Sequence, residues 1–219
     1  MFKTEKDFAA FERVLAEAVQ RSAGEIELLA YCVMGNHWHL VLRVLPDCHG
    51  AMGRFMKWLT TTHAGRYRVA HGQGGIGHLY QGRYKSFLVN DDAHLLTVCR
   101  YVERNAARAS MVVRAEDWQW SSLWRWRNPH TDVDEKIKLN LSPWPITSDA
   151  SHAAAGSGRP RNWLRTVNTP LSEDELTALR LAANRCRPYG SSDWVNRMVT
   201  EFNLESTMRN PGRPKKQDS

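Results

Sequence analysis

Cysteine is scarce and scattered in this chain. The four residues Cys32, Cys48, Cys99 and Cys186 contain no C-x-x-C pair, which argues against a zinc knuckle and against a secreted disulfide scaffold. No run is long and apolar enough to span a membrane. The opening Met1-Phe2-Lys3-Thr4-Glu5-Lys6 lacks a signal peptide's apolar core, so a cytoplasmic setting is expected. The glycine cluster Gly72-Gln73-Gly74-Gly75-Ile76-Gly77 has no Lys-Ser/Thr after it, so it reads as a connection rather than a phosphate loop. Internal repeats are absent. Acidic residues are outnumbered, 23 against 30 Lys and Arg, leaving a net charge of +7 and a pI near 9.4. That balance favours a polyanionic partner, most simply nucleic acid.

Set against these absences is enough apolar material for a core, 42% of 219 residues with nine tryptophans. The length fits one ordinary domain plus a small appendage. Tyr31-Cys32-Val33-Met34-Gly35-Asn36-His37-Trp38-His39-Leu40-Val41-Leu42-Arg43 reads as a strand, a tight Gly-Asn turn and a second strand. Alternation puts His37, His39, Val41 and Arg43 on one face of the second strand, with Trp38, Leu40, Leu42 and Val44 on the other. The two imidazoles are then about 6.5–7 Å apart at Cα, close enough to share a cation. The apolar face would pin them to a rigid element. H-x-H alone is equally compatible with a solvated strand edge.

Elsewhere, Asp7 to Val19 has helical spacing, with Phe8, Phe11, Leu15 and Val19 apolar. The hairpin is expected over Ile26 to Leu45. Pro46-Asp47 should open a second helix, with Met52, Phe55, Met56, Leu59 and Tyr67 on its apolar side. Arg54, Lys57, Arg66 and Arg68 lie beside Trp58 and Tyr67, a cation–aromatic mix suited to a nucleic-acid surface. Leu79 to Val89 reads as a strand with Arg83 and Lys85 on one face. Asp91 or Asp92 should cap a helix running to about Arg108, with Leu95, Val98, Val102 and Ala106 as its apolar stripe. Tyr101 and Asn105, four apart, lie together along one edge of it. Asn128 to Asp134 and Thr147 to Arg161 have linker composition. Ser172-Glu173-Asp174-Glu175 is a capping box, and Ser192-Asp193-Trp194 starts a further helix. The division expected is a domain over 1–128, a linker over 129–161 and a helical region with a basic tail over 162–219. The tail carries Arg209, Arg213, Lys215 and Lys216.

His37-Trp38-His39, Tyr101 with Asn105, and Gly77-His78-Leu79-Tyr80-Gln81-Gly82-Arg83-Tyr84-Lys85 together resemble the REP-associated tyrosine transposases, a branch of the single-tyrosine HUH superfamily. Arg100-Tyr101-Val102-Glu103-Arg104-Asn105-Ala106-Ala107-Arg108-Ala109 resembles that family's tyrosine helix. Arg187-Pro188-Tyr189-Gly190-Ser191-Ser192-Asp193-Trp194 and Gly212-Arg213-Pro214 resemble the C-terminal region of one subgroup. The likeness extends over nearly the whole chain from Asp7.

The resemblance implies an α+β fold. Its core would be a ferredoxin-like antiparallel sheet with helices, the histidines on a central strand and the tyrosine helix facing them. It implies Mg²⁺ or Mn²⁺ on His37, His39 and Asn105, and Tyr101 as the catalytic nucleophile. The substrate would be single-stranded or hairpin DNA of the REP palindrome type. Arg54, Lys57, Arg83, Lys85 and the tail cations are the candidate DNA-binding residues. The expected protein is nucleoid-associated, not membrane-bound, and a monomer or homodimer. Two departures from the family pattern stand out. Only three residues precede Thr4 where the family has a first strand, so either the start lies upstream or the sheet lacks an edge. The family's Asn-Pro is Asn105-Ala106 here, which leaves the amide in place. Two other classes share these features: a domesticated hairpin-DNA binder that does not cut, and a metal-dependent nuclease using water instead of tyrosine.

Overall fold

The computed structural model describes residues 1–73, 77–90, 93–129, 139–144 and 158–209. They divide into two compact units, one comprising 1–83 with 97–170 and the other 84–96 with 171–219.

The first unit opens on helix α1, Glu5–Arg21. The Asp7 carboxylate accepts from the backbone N–H groups of Lys3 and Thr4, both at 2.9 Å, which satisfies donors that the first turn leaves orphaned. Phe8, Phe11, Val14 and Leu15 then face inward. Strand β1, Ile26–Val33, and strand β2, Trp38–Val44, form an antiparallel pair. Helix α2, Ala51–Ala70, packs on the same cluster through Phe55, Met56 and Leu59. It begins later than Pro46-Asp47 suggests, because Asp47 and Gly50 are left-handed, with φ of 61° and 74°.

The α+β class is as expected, but among the described residues the sheet has two strands. The other edge of β1 is met by loop backbone. Val33 N–H donates to the Trp120 carbonyl at 2.9 Å and Ser142 N–H donates to the Leu28 carbonyl at 2.9 Å. The strand expected over Leu79–Val89 is not formed. Its first half is irregular and mostly exposed. Tyr80 is tied down by its hydroxyl, which meets His63 Nδ1 at 2.6 Å and Trp38 Nε1 at 3.4 Å. β2 is therefore not flanked by that segment, and His39 sits on an edge strand of the described sheet, with His37 immediately before it.

Helix α3, Ala93–Glu103, is followed after a break at Arg104 by the single turn α4, Asn105–Arg108. The expected capping residues Asp91 and Asp92 lie outside the described residues. A 3₁₀ turn at Ala115–Asp117, α5 (Ser122–Arg127) and α6 (Trp163–Asn168) complete the first unit. Within the expected linker, 129–161, Leu139, Trp144 and Arg159 are buried.

In the second unit α7 spans Glu173–Arg185, with the expected capping box: Ser172 N–H donates to Glu175 at 2.7 Å and Glu175 N–H to Ser172 Oγ at 3.2 Å. Helices α8 (Ser192–Glu201) and α9 (Glu205–Met208) follow. Leu88 to Asn90 runs beside Tyr189, with Tyr189 N–H to the Leu88 carbonyl at 2.8 Å and Asn90 N–H to the Tyr189 carbonyl at 3.0 Å. Gly190 is required at that join, since a Cβ there would lie 2.5 Å from the Trp194 ring and 2.9 Å from Asn90 Cβ.

Candidate active site

The hairpin is closed by a two-residue Gly35-Asn36 loop, in which Met34 N–H donates to the His37 carbonyl at 2.8 Å. Trp38, Leu40 and Leu42 pack against the apolar cluster, as the alternation requires, while Val44 at the strand end stays 39% exposed. The opposite face carries His37 and His39 with ring centroids 5.0 Å apart. The site is thus mounted on a strand whose reverse side is buried, which fixes the two rings.

Tyr101, near the end of α3, brings its ring edge-on to His39 at 5.8 Å. Cys32 is the register partner of His39, and the Ala106 backbone N–H lies against the Cys32 thiol. The start of α4 is therefore beside the strand position that His39 occupies. Asn105 is fully buried, and its Oδ1 accepts from Arg108 Nη2 at 2.9 Å while its Nδ2 has no partner. The Arg108 guanidinium also lies 5.6 Å from the Tyr101 ring centroid, a cation–π arrangement.

The end of α3 is held from behind by Glu103, which is fully buried. Its carboxylate accepts from Ser122 Oγ at 2.6 Å, Arg159 Nη2 at 2.8 Å and Trp163 Nε1 at 2.7 Å. Arg159 in turn is stacked between Trp126 and Trp144, 5.2 and 4.3 Å from their centroids. A buried carboxylate is tolerated because charge and hydrogen bonds are supplied together. The position of Tyr101, two residues earlier, depends on this anchor.

Both imidazoles are kept neutral. Burial, then the charge of Arg108, lowers the His37 pKa. Burial, then His37 and Arg108, pushes His39 down to about 4. A neutral imidazole is the form that binds a metal. His37 Nδ1 is 2.6 Å from Asn36 Oδ1, and a proton on Nδ1 donated to that oxygen leaves the Nε2 lone pair available. His39 Nε2 is buried without a hydrogen-bond partner. These orphaned nitrogens fit a divalent cation. Asn105 fits less simply, since one lone pair of its oxygen is already engaged by Arg108. Among the described residues no cluster of three or more His, Cys, Asp or Glu could hold a metal.

The remaining candidates that are described fall in both units. Arg54 is bound to Glu25 through contacts of 3.0 and 2.8 Å and to the His49 carbonyl at 3.0 Å. Lys57 is exposed on α2. Arg83 and Lys85 are both exposed but share no strand face, since no strand forms there, and they fall in different units. Lys85 reaches Asn184 at 3.5 Å. Arg209 is exposed and its carbonyl accepts from Arg185. Arg213, Lys215 and Lys216 lie outside the described residues.

Residues 2–105 match the model of the IS200-like transposase family. The match covers 104 of the 219 residues, just under half, and includes His37, His39, Tyr101 and Asn105. It supports the resemblance to the single-tyrosine HUH transposases at superfamily level. No curated protein and no solved structure matches the chain. No described helix is long and apolar enough to cross a membrane.

Five residues escape a reading built on known motifs. Arg100, Arg104 and Arg108 recur every four residues, a spacing visible in the sequence that puts them in one row on a helix. Glu103 continues the buried row of Leu95 and Cys99, but a lone carboxylate there reads as solvated until Arg159 is found opposite it. His63, buried on α2 with its pKa pushed down to about 4 by burial, looks in sequence like part of a polar helix face.

Proposed function

We propose that the protein cleaves and rejoins single-stranded DNA through a covalent 5′-phosphotyrosine on Tyr101. The carrying observation is the juxtaposition of Tyr101 with the His37–His39 pair on a rigid hairpin, within the segment similar to IS200-like transposases. Tyr101 Oη would attack the phosphorus of the scissile diester. The new Oη–P bond forms as the P–O3′ bond breaks, the phenolic proton leaves to solvent, and the departing oxygen takes up a proton as a 3′-OH. The reverse attack by a 3′-OH restores the diester and frees the tyrosine, so rejoining needs no nucleotide cofactor.

His37, His39 and the Asn105 oxygen would hold a divalent cation, Mg²⁺ or Mn²⁺ by likeness to the family. When bound, that cation would neutralise the phosphate charge that otherwise repels a nucleophile. Arg108 would hold the Tyr101 ring and the Asn105 amide in place. Glu103 would fix the helix that carries both. Hairpin DNA of the REP palindrome type is the substrate that the motifs favour. Residues 1–128 would carry the chemistry, 129–161 would link, and 162–219 would bind DNA, in a nucleoid-associated monomer or homodimer.

The test is a denaturing gel of a single-stranded hairpin incubated with the protein and Mn²⁺. A covalent protein–DNA band that disappears in Tyr101→Phe supports the proposal. Cleavage without a covalent band assigns a water nuclease instead. Binding without any cleavage assigns a domesticated binder. A covalent band undiminished in Tyr101→Phe moves the nucleophile to another tyrosine.

A further inference from the structure

Two arginines of the row on the tyrosine helix, Arg104 and Arg108, meet no carboxylate among the described residues. Arg104 N–H donates to the Arg100 carbonyl at 3.0 Å and Arg108 N–H to the Arg104 carbonyl at 2.9 Å. The four-residue hydrogen-bond pattern therefore runs through this row despite the break between α3 and α4, keeping the three side chains in line. Arg100 is fixed, donating to the Thr169 and Pro170 carbonyls at 2.9 and 2.7 Å. Arg104 and Arg108 are different. Among the described residues neither forms an ion pair with a carboxylate, Arg104 Nε is buried with no hydrogen-bond partner, and Arg108 meets the neutral amide of Asn105. The adjacent Glu103 is saturated by Ser122, Arg159 and Trp163.

Such a cluster costs folding free energy unless an anion relieves it. A guanidinium fork is the group best suited to a phosphate oxygen pair. The row ends beside the Tyr101 ring, at 5.6 Å from Arg108. We propose that Arg104 and Arg108 form a phosphate-binding track that takes neighbouring backbone phosphates of the single strand engaged at Tyr101. This rests on the reading of the protein as a single-strand DNA enzyme and names the residues that would hold the strand. Arg54, the first arginine on α2, would not belong to the track, because Glu25 already neutralises it.

The full-length chain in a Tyr101→Phe background, in chelator, is titrated with a mixed-sequence single-stranded oligonucleotide at several salt concentrations. Phosphate contacts are blind to sequence, so the natural target is not needed. Each neutralised phosphate contributes roughly 0.7 to the log–log salt slope for single strands. Arg104→Ala with Arg108→Ala should therefore lower the slope by about 1.4, and the paired Lys substitutions should restore most of it. Without DNA, Arg104→Ala should melt no lower than the parent, because it removes repulsion. A residue with a merely structural role would lower the melting temperature instead. Should the double variant fail to fold, Arg104→Gln and Arg108→Gln are read singly, each expected to lower the slope by about 0.7. A folded variant with an unchanged slope overturns the track, as does a slope that the Lys pair leaves lowered. A parent that does not bind single strands at all sinks the DNA reading itself. If the Tyr101→Phe parent binds single strands but the chain with Tyr101 intact forms no covalent band in Mn²⁺, cleavage is sunk and the track is left standing.

Discussion

Helices α2 and α3/α4 both carry arginines beside aromatic rings, yet they use them in opposite ways. On α2, Arg54 meets Glu25 and Arg66 meets Glu17, the latter through contacts of 2.6 and 2.8 Å. On α3/α4, Arg104 and Arg108 meet no carboxylate among the described residues, and the one nearby carboxylate, Glu103, is turned inward. Cation count alone would rank α2 as the nucleic-acid surface. Pairing removes that advantage: with Arg54 and Arg66 neutralised, Lys57 and Arg68 on α2 stand against Arg104 and Arg108, and only the latter two lie on the helix that carries Tyr101.

The sharpest way to break the comparison is to remove the inward carboxylate. Glu103→Ala leaves Arg159 charged in a site where it is 1% exposed. Breaking one partner of a buried pair commonly costs about 3–5 kcal/mol, so urea unfolding should show a loss of that order. Because Glu103 anchors the end of α3, covalent adduct formation should fall as well, even where the variant is folded. A loss below about 1 kcal/mol would show that α3 is held by its apolar stripe and not by the Glu103 anchor.

The next effect concerns α2 and acid. His63 titrates near 6.5 when exposed and at about 4 in the folded protein. Between those values the unfolded chain binds more protons, so stability falls as pH falls through this window. It is fully present above pH 6.5 and its loss is complete below about 4. The shift corresponds to roughly 3 kcal/mol. His39 adds a loss of the same sign in the metal-free protein. His63→Phe should therefore remove only its own share of the slope in stability against pH between 6.5 and 4, measured by urea midpoints. A slope identical to the parent's would mean that His63 is not neutral in the fold.

How much of this was legible beforehand differs by region for physical reasons. The hairpin was readable because alternation and a Gly-Asn turn leave one register in which Trp38, Leu40 and Leu42 pack against the core. Tyr101 and Asn105 were readable as a pair because four residues make one turn. Leu79–Val89 misled, since its alternation suits a strand. Tyr80 is instead captured by His63 and Trp38, and Leu88 to Asn90 by Tyr189. Strand propensity yields to such tertiary partners. Glu103 was opaque because its partner Arg159 comes 56 residues later, from a stretch whose composition looks like a linker. Arg54 was misleading for the same reason in reverse, its partner Glu25 lying in the turn before β1.

A smaller effect is expected from the C-terminal cations Arg209, Arg213, Lys215 and Lys216. Each neutralised phosphate of a duplex stem steepens the salt slope by about 0.9. Truncation after Thr207 should lower the slope for a hairpin by roughly 2–4, with single strands affected less. Cleavage at saturating DNA should be nearly unchanged. An unchanged hairpin slope would assign the tail no role in binding.

The smallest effect should come from the paired arginines of α2, and its smallness is what makes it informative. Arg54 and Arg66 are 59% and 53% exposed in their side chains, so each ion pair is worth at most about 1 kcal/mol. Arg54→Gln with Arg66→Gln should shift the urea midpoint only slightly. If the pairs persist in the DNA complex, removing both arginines should leave the single-strand salt slope within about 0.3 of the parent, well under the 0.7 expected per phosphate lost. Glu17→Gln with Glu25→Gln sharpens the point, because it unpairs the same two arginines without touching them. Freed from their carboxylates, they become available to a polyanion, and the slope should steepen. A slope lowered by Arg54→Gln and Arg66→Gln to the extent expected for Arg104 and Arg108 would show that DNA phosphates displace Glu17 and Glu25, and that pairing in the free protein does not mark a cation as spoken for.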